Sequence, residues 1–339
     1  MNPREGVLLA PFTTLRIGGP ARFFIEATTE EEVEAARGEA ARRALPLIPL
    51  GNGSNILVPD AGVEAVVLKM ALQDIAFEDR GDDMLLVAGA GLAWDAVVDA
   101  ALAQGVFGIE NLAGIPGTIG GAAVQNIGAY GAELADVFEY ADIVDSATGA
   151  RARVSRADAA YGYRASFFKE QGTPIIMRVA LRLAKDAALN TSYADLARAR
   201  AAGVPLTTPS EVARAVRAIR AEKFPQNAGE GTAGSFFKNP VIPQELSAAL
   251  AARYPGLPVF PQEDGRAKLP LAWLLDNVLS MKGYAVGRAR LYERQPLVVV
   301  ARAGATAAEV DALARAVEER VYSATGIRIE REVQTIAAH

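Results

Sequence analysis

Two glycine-dense stretches hold most of the chemical promise of this 339-residue chain. One is Gly51-Asn52-Gly53-Ser54-Asn55. The other runs from Ile115 through Pro116, Gly117, Thr118, Gly120, Gly121, Gln125, Asn126, Gly128 and Ala129 to Gly131. Glycine costs chain entropy when ordered. Its use in apolar surroundings is backbone that turns sharply and brings N–H groups close to a ligand, often a phosphate. Asn52, Ser54 and Asn55 add side chains able to donate or accept at such a group. Together the loops imply one large, phosphate-bearing ligand gripped from two sides.

Three further sets of residues place polar groups in apolar or glycine settings. Arg164 lies among Tyr161, Tyr163, Phe167, Phe168 and Lys169, where a guanidinium can be held rigidly for charge recognition or can simply pack its stem on a ring. Ser235 lies between Gly234 and Phe236-Phe237, which suits either a hydroxyl in a dry pocket or a buried turn serine. Glu330 and Glu332 fall on one face of an alternating C-terminal segment and, on that pattern alone, read as solvated.

Other chemistries are excluded. The chain has no cysteine, and its one histidine, His339, is the last residue and is expected to be frayed. That removes thiol and histidine nucleophiles, zinc fingers, iron–sulfur clusters and histidine acid–base work, and no metal site is expected. Gly89-Ala90-Gly91 is followed by Trp94 where a dinucleotide fingerprint needs its third glycine, so a tight strand-to-helix turn is expected. No phosphate-loop lysine motif occurs. A net charge of −5, with no long basic run, argues against nucleic acid and anionic membranes. The N-terminus lacks a signal-peptide pattern, and the glycine block is too polar for a membrane span, so a cytoplasmic location is expected.

The elements that must position these groups form three blocks. Thr29 and Glu32 mark a capped helix start, and Leu45–Leu50, Ile56–Val58 and Ala65–Met70 have strand length. Met84–Val87, a helix from Trp94 to Ala103, and strands at Tyr140–Asp145, Ala152–Ser155 and Pro174–Leu183 follow. Helices start at Thr208-Pro209 and Thr306, with Leu269–Val278 and a strand at Pro296–Val300 between them, and Ile327–Ile336 closes the chain as a strand.

These motifs, in this order, resemble the UDP-N-acetylenolpyruvoylglucosamine reductases. The resemblance rests on Thr14–Ala21 (TLRIGGPA), GNGSN, the long glycine loop, GYRASFFK, AGSFFKNP and EREV, and covers nearly the whole chain. It implies an α+β fold: an FAD-binding pair of subdomains of the vanillyl-alcohol-oxidase type plus a C-terminal α/β substrate domain. The corresponding boundaries are 1–72, 73–222 and 223–326, with the terminal strand 327–339 returning to the second subdomain. The resemblance implies non-covalent FAD, NADPH as co-substrate, and UDP-N-acetylenolpyruvoylglucosamine as substrate, with no obligate protein partner. With no cysteine and one terminal histidine, no ordinary covalent flavin attachment residue exists.

Family roles then fall on matched positions. The two glycine stretches would hold FAD. Arg164 and Glu332 look like the pair that activates the enolpyruvyl group, and Ser235 like the proton donor. Tyr193 resembles the substrate-clamping tyrosine of the longer subtype, ahead of small residues Ala197–Val204 that suit a mobile lid. Tyr130, Tyr163, Arg220, Lys223, Asn239 and Gln295 would hold the UDP-sugar. Glu332 would act either as a neutral acid or by orienting Arg164 or a water. Ala165, Thr232 and Ala301 depart from the family pattern near the substrate contacts. Two alternatives remain at this stage: another FAD-dependent oxidoreductase of the same superfamily, and a non-catalytic nucleotide-sugar binder.

Overall fold

Short apolar runs separated by glycine turns build three main sheets. The computed structural model describes residues 3–169, 174–225, 227 and 229–336, so His339 lies outside the described residues. In the first sheet Pro20–Ala27 and Leu47–Leu50 both pair parallel with Val63–Met70, and Arg4–Leu8 adds an antiparallel edge. The central strand Val63–Met70 is buried at every position but Glu64 and Lys69, hence its near-continuous apolar run. Helix α1 (Glu30–Arg43) covers one face. Its start is the expected reciprocal cap: Glu32 N–H donates to Thr29 Oγ1, and Thr29 N–H to the Glu32 carboxylate.

The second sheet is antiparallel, in the order 151–155, 138–144, 175–184, 83–89, 75–80. Helix α2 (Trp94–Ala103) packs beside it, with Trp94 fully buried and its Nε1–H donating to Leu112 O at 2.8 Å. Gly89 and Gly91 form the expected tight turn: Gly91 N–H donates to Leu72 O, and a Cβ on Gly91 would come within 2.6 Å of Met70 O. The third sheet pairs Glu230–Ser235 with Val298–Arg302 and then Ala289–Leu291, covered by the helix Ala307–Thr325. Its core gathers Phe236, Phe237, Val310, Leu313 and Val317.

Two local expectations are revised, that of the long glycine stretch as a loop and that of the terminal segment as a strand. The long glycine stretch contains a helix, α3 (Ile119–Gln125), capped by Thr118. It forms because Ile119, Ala122 and Ala123 bury one side while Gly120 sits where a Cβ would press on Ala90 at 2.9 Å. Leu269–Val278 is helical, with a π-helical turn at Leu274–Val278. Ala194–Ala201 is a helix that overlaps the proposed lid stretch over Ala197–Ala201.

Among the described residues of the terminal segment the strand is Gln334–Thr335, and it pairs with Ile56–Leu57 of the first block, not with the second. Residues 330–332 instead run beside Phe236–Lys238, just after Ser235: Lys238 N–H donates to Glu330 O and Glu332 N–H to Phe236 O. Strict alternation is lost there. Glu330 points outward to Lys238, and Glu332 turns inward.

Candidate active site

The two glycine stretches touch each other. A Cβ on Gly51 would meet Thr118 Oγ1 at 2.6 Å, one on Gly117 would meet Ser54 Oγ at 2.8 Å, and Asn52 Nδ2 donates to Gly117 O at 3.3 Å. Gly117 also has φ of 130°, a backbone setting that side chains resist. Glycine is therefore demanded by this interlock as well as by any ligand. Between the loops and the third sheet lies a cavity of about 240 Å³. It is lined by Ser54, Asn55, Gly117, Thr118 and Gly121, by Ala122, Gln125, Ile127, Gly128 and Ala129, and by Ser235 and Glu332.

Arg164 occupies a tight turn. Gly162 and Ala165 exchange both backbone hydrogen bonds across it, and Arg164, its third residue, has φ of 55°. That region normally takes glycine or asparagine. A strained residue persists only when its surroundings over-determine it, and here they do. Arg164 Nη2 donates to Gly128 O at 2.9 Å and Nη1 to Asn126 O at 3.3 Å. Its Nε lies 2.8 Å from Glu332 Oε1, an ion-pair contact whose N–H does not aim at the oxygen. Gln125 Nε2 donates to the same oxygen at 3.0 Å.

Asn126 serves the scaffold. Its Nδ2 donates to Glu133 and to Gly162 O, and its Oδ1 accepts from Ala135 N–H, which ties the end of α3 to the Arg164 turn. Asn55 Nδ2 donates to Glu332 O while Asn55 O accepts from Gln334 N–H. The GNGSN loop is thereby coupled to the glutamate.

The opposite wall is aromatic and cationic. Tyr130 and Tyr193 meet edge-to-face, centroids 5.4 Å apart. Burial pushes the Tyr130 hydroxyl up to about 12 against the opposing pull of Arg220, and burial also raises Tyr193. Both stay neutral donors near neutral pH. Arg220 is drawn below its usual range by burial, and its Nε donates to Gly114 O at 2.9 Å. Lys223 pairs with Asp195 at the start of the helix that follows Tyr193.

Of the residues singled out in the sequence, Arg164, Ser235, Glu332, Tyr130, Tyr193, Arg220 and Lys223 line this one cavity. Asn52, Tyr163, Asn239 and Gln295 do not. Asn239 Oδ1 accepts from Leu271 N–H, and its own N–H donates to Tyr163 Oη. Asn52 lines a second, more open cavity that shares Pro116. Trp94, Ile127, Phe224 and Ala233 line the main cavity without having been singled out; apolar side chains facing a ligand carry no sequence signal that separates them from core.

A family model described as an FAD binding domain matches residues 21–155, and one described as the UDP-N-acetylenolpyruvoylglucosamine reductase C-terminal domain matches 225–336. The fold and site thus define an FAD-dependent oxidoreductase: a two-sheet flavin-binding unit facing a third sheet that supplies Ser235. Among curated relatives, the UDP-N-acetylenolpyruvoylglucosamine reductase of Chromobacterium violaceum is 41% identical over 334 residues, covering 97% of each chain. That of Burkholderia multivorans is 42% identical over 344 residues, covering 98% of each. The crystal structure of UDP-N-acetylenolpyruvylglucosamine reductase from Thermus caldophilus superposes with a TM-score of 0.68 at 28% identity, covering 98% of this chain and 99% of that one. The chain belongs to the UDP-N-acetylenolpyruvoylglucosamine reductase family.

The residues present fit FAD. Gly51 and Gly117 leave the loop backbone bare where a Cβ would crowd Thr118 and Ser54. The cavity combines hydroxyl and amide groups with the apolar Ala122, Ile127 and Ala129, the mixture that a ligand with a polar tail and a flat ring system requires. Among the described residues no helix is long and apolar enough to cross a membrane, and no group of acidic or histidine side chains is placed to hold a metal.

Proposed function

We propose that this protein reduces UDP-N-acetylenolpyruvoylglucosamine to UDP-N-acetylmuramic acid with NADPH, in the cytoplasm. One observation carries the reading: Arg164, Glu332 and Ser235 converge on the cavity bounded by the two glycine loops. FAD, when bound between those loops, supplies two-electron hydride transfer from NADPH to the terminal vinyl carbon of the enolpyruvyl ether. Once that carbon has gained hydride, the electron pair of the double bond moves to its neighbour and the attached carboxylate.

Arg164 meets that charge with donors fixed by two carbonyls and a carboxylate, so little reorganisation is needed. Glu332 orients the guanidinium, and Gln125 fixes the oxygen that does so. This favours the orienting role for Glu332 over that of an acid aimed at substrate. Ser235 gives its hydroxyl proton to the carbanionic carbon and is reprotonated from solvent. Tyr130, Tyr193, Arg220 and Lys223 form the wall suited to a nucleotide diphosphate sugar, with Tyr193, half exposed at 46%, placed to fold over it.

Purified protein loaded with FAD should lose its yellow absorbance with NADPH and regain it under anaerobic conditions on adding the enolpyruvyl substrate. Bleaching without substrate-dependent recovery would point to a different electron acceptor within the flavoenzymes. Absence of any flavin binding would leave only a nucleotide-sugar binder.

A further inference from the structure

Lys169 stands behind the strained arginine. It closes the short 3-10 turn Phe167–Lys169, beneath which Ser166 Oγ donates to Val124 O of α3 at 2.6 Å and Phe168 is fully buried. The turn is therefore anchored independently of Lys169's own head group. The Lys169 ammonium donates to the backbone carbonyl of Arg164 at 2.8 Å. That carbonyl belongs to the peptide that follows the left-handed φ at Arg164, so its direction decides whether the turn keeps the guanidinium aimed between Gly128 O and Glu332.

We propose that Lys169 is a positioning residue for the reaction: it clamps the Arg164 peptide and adds a positive charge behind the centre where the enolate-like charge develops. This rests on the functional reading above.

The surrounding charges support it. Lys238 pairs with Glu330 and Arg164 with Glu332, whereas among the described residues Lys169 has no carboxylate partner. These five groups therefore leave one cation in excess, at the back of the site. Burial is the main cause that draws Lys169 down to about 8, with Lys238 adding to it and Glu332 opposing. A half-buried ammonium with no carboxylate partner is a cost to folding. Its presence is explained if the site uses it.

The test is Lys169→Met beside Lys169→Arg in the FAD-loaded protein, with thermal unfolding of each variant's apoprotein as a readout independent of turnover. Reoxidation of reduced flavin by the enolpyruvyl substrate should slow roughly tenfold to a hundredfold in Lys169→Met, the scale of a misplaced catalytic group. The KM for that substrate should stay within about threefold and flavin reduction by NADPH should remain normal. The apoprotein should unfold no earlier than wild type, because a desolvated charge has been removed. Lys169→Arg should regain most of the rate.

Wild-type reoxidation in Lys169→Met would overturn the proposal. So would an earlier unfolding of the apoprotein with both half-reactions slowed together, or no recovery in Lys169→Arg. If wild-type protein itself is not reoxidised by the enolpyruvyl substrate, the functional reading fails and this proposal falls with it.

Discussion

At the scale of single residues, the site works by fixing charges that would otherwise be mobile. Ser235→Ala should slow substrate-dependent reoxidation by roughly 10²–10⁴-fold, the usual loss with a positioned general acid. Reduction by NADPH needs no such proton and should stay near normal; equal rates of reoxidation in mutant and wild type, measured by stopped flow, would move the proton donor elsewhere. Glu332→Gln keeps the shape but loses the charge against Arg164 Nε at 2.8 Å, so the same half-reaction should fall and the KM should change less. Lys169 also leaves a signature in stability. Its native affinity for a proton is lower than in the unfolded chain, so the unfolded state binds more protons between about pH 8 and pH 10. Stability relative to Lys169→Met should therefore improve as pH rises through that window and show no such trend below it, which denaturant melts at several pH values would reveal. The sequence singled out Arg164, Ser235 and Glu332 as residues, but not their arrangement. A contact between positions 164 and 332 has no local period, and strand alternation placed Glu332 beside solvated Glu330. Only the likeness to a known family paired them.

At the scale of elements, legibility followed locality. The caps of α1 and of the helix Ala307–Thr325 were readable because their donors and acceptors lie three residues apart. Helix α3 was hidden because its two glycines, Gly120 and Gly121, contradict helix propensity, and burial of Ile119, Ala122 and Ala123 with the close approach of Gly120 to Ala90 offsets that cost. The interlock of α3 with GNGSN yields a sharp expectation. Gly117→Ala combines φ of 130° with a 2.8 Å approach to Ser54 Oγ. It should weaken FAD binding by about fivefold to 150-fold in a fluorescence titration, the equivalent of roughly 1–3 kcal/mol of backbone strain. Unaltered affinity would show that the two loops can part without cost. The aromatic wall behaves differently. Tyr193 precedes the helix Ala194–Ala201, which is latched by the Asp195 pair with Lys223, so closure over a ligand would move helix and tyrosine together. Tyr193→Phe should raise the KM for the UDP-sugar while leaving reduction by NADPH unchanged; comparable losses in both half-reactions would make the hydroxyl a structural group.

At the scale of the molecule, the site exists only where three sheets and the terminal segment meet. Asn55 holds Glu332 O and Gln334 N–H, Phe236 O holds Glu332 N–H, and α3 supplies Gln125, so first, second and third blocks each grip the same glutamate. A ligand seated on the GNGSN loop thus stabilises the whole junction, and FAD binding should raise the unfolding temperature of the complete chain in one transition. By mass action the gain is about 2.7 kcal/mol at a free flavin concentration a hundredfold above Kd. The attachment is expected to be reversible. The chain contains no cysteine, and the cavity lining contains no histidine, so neither of these two side chains attaches the isoalloxazine there. Hydrogen bonds and packing, not a bond, must then retain the cofactor. Acid or heat denaturation followed by centrifugation should leave all yellow colour in the supernatant, and the pellet, washed and redissolved in denaturant, should show no flavin absorbance. Colour that stayed with the polypeptide would require an attachment through a side chain not normally used for it. That would contradict the view that the two interlocked glycine loops alone account for retention.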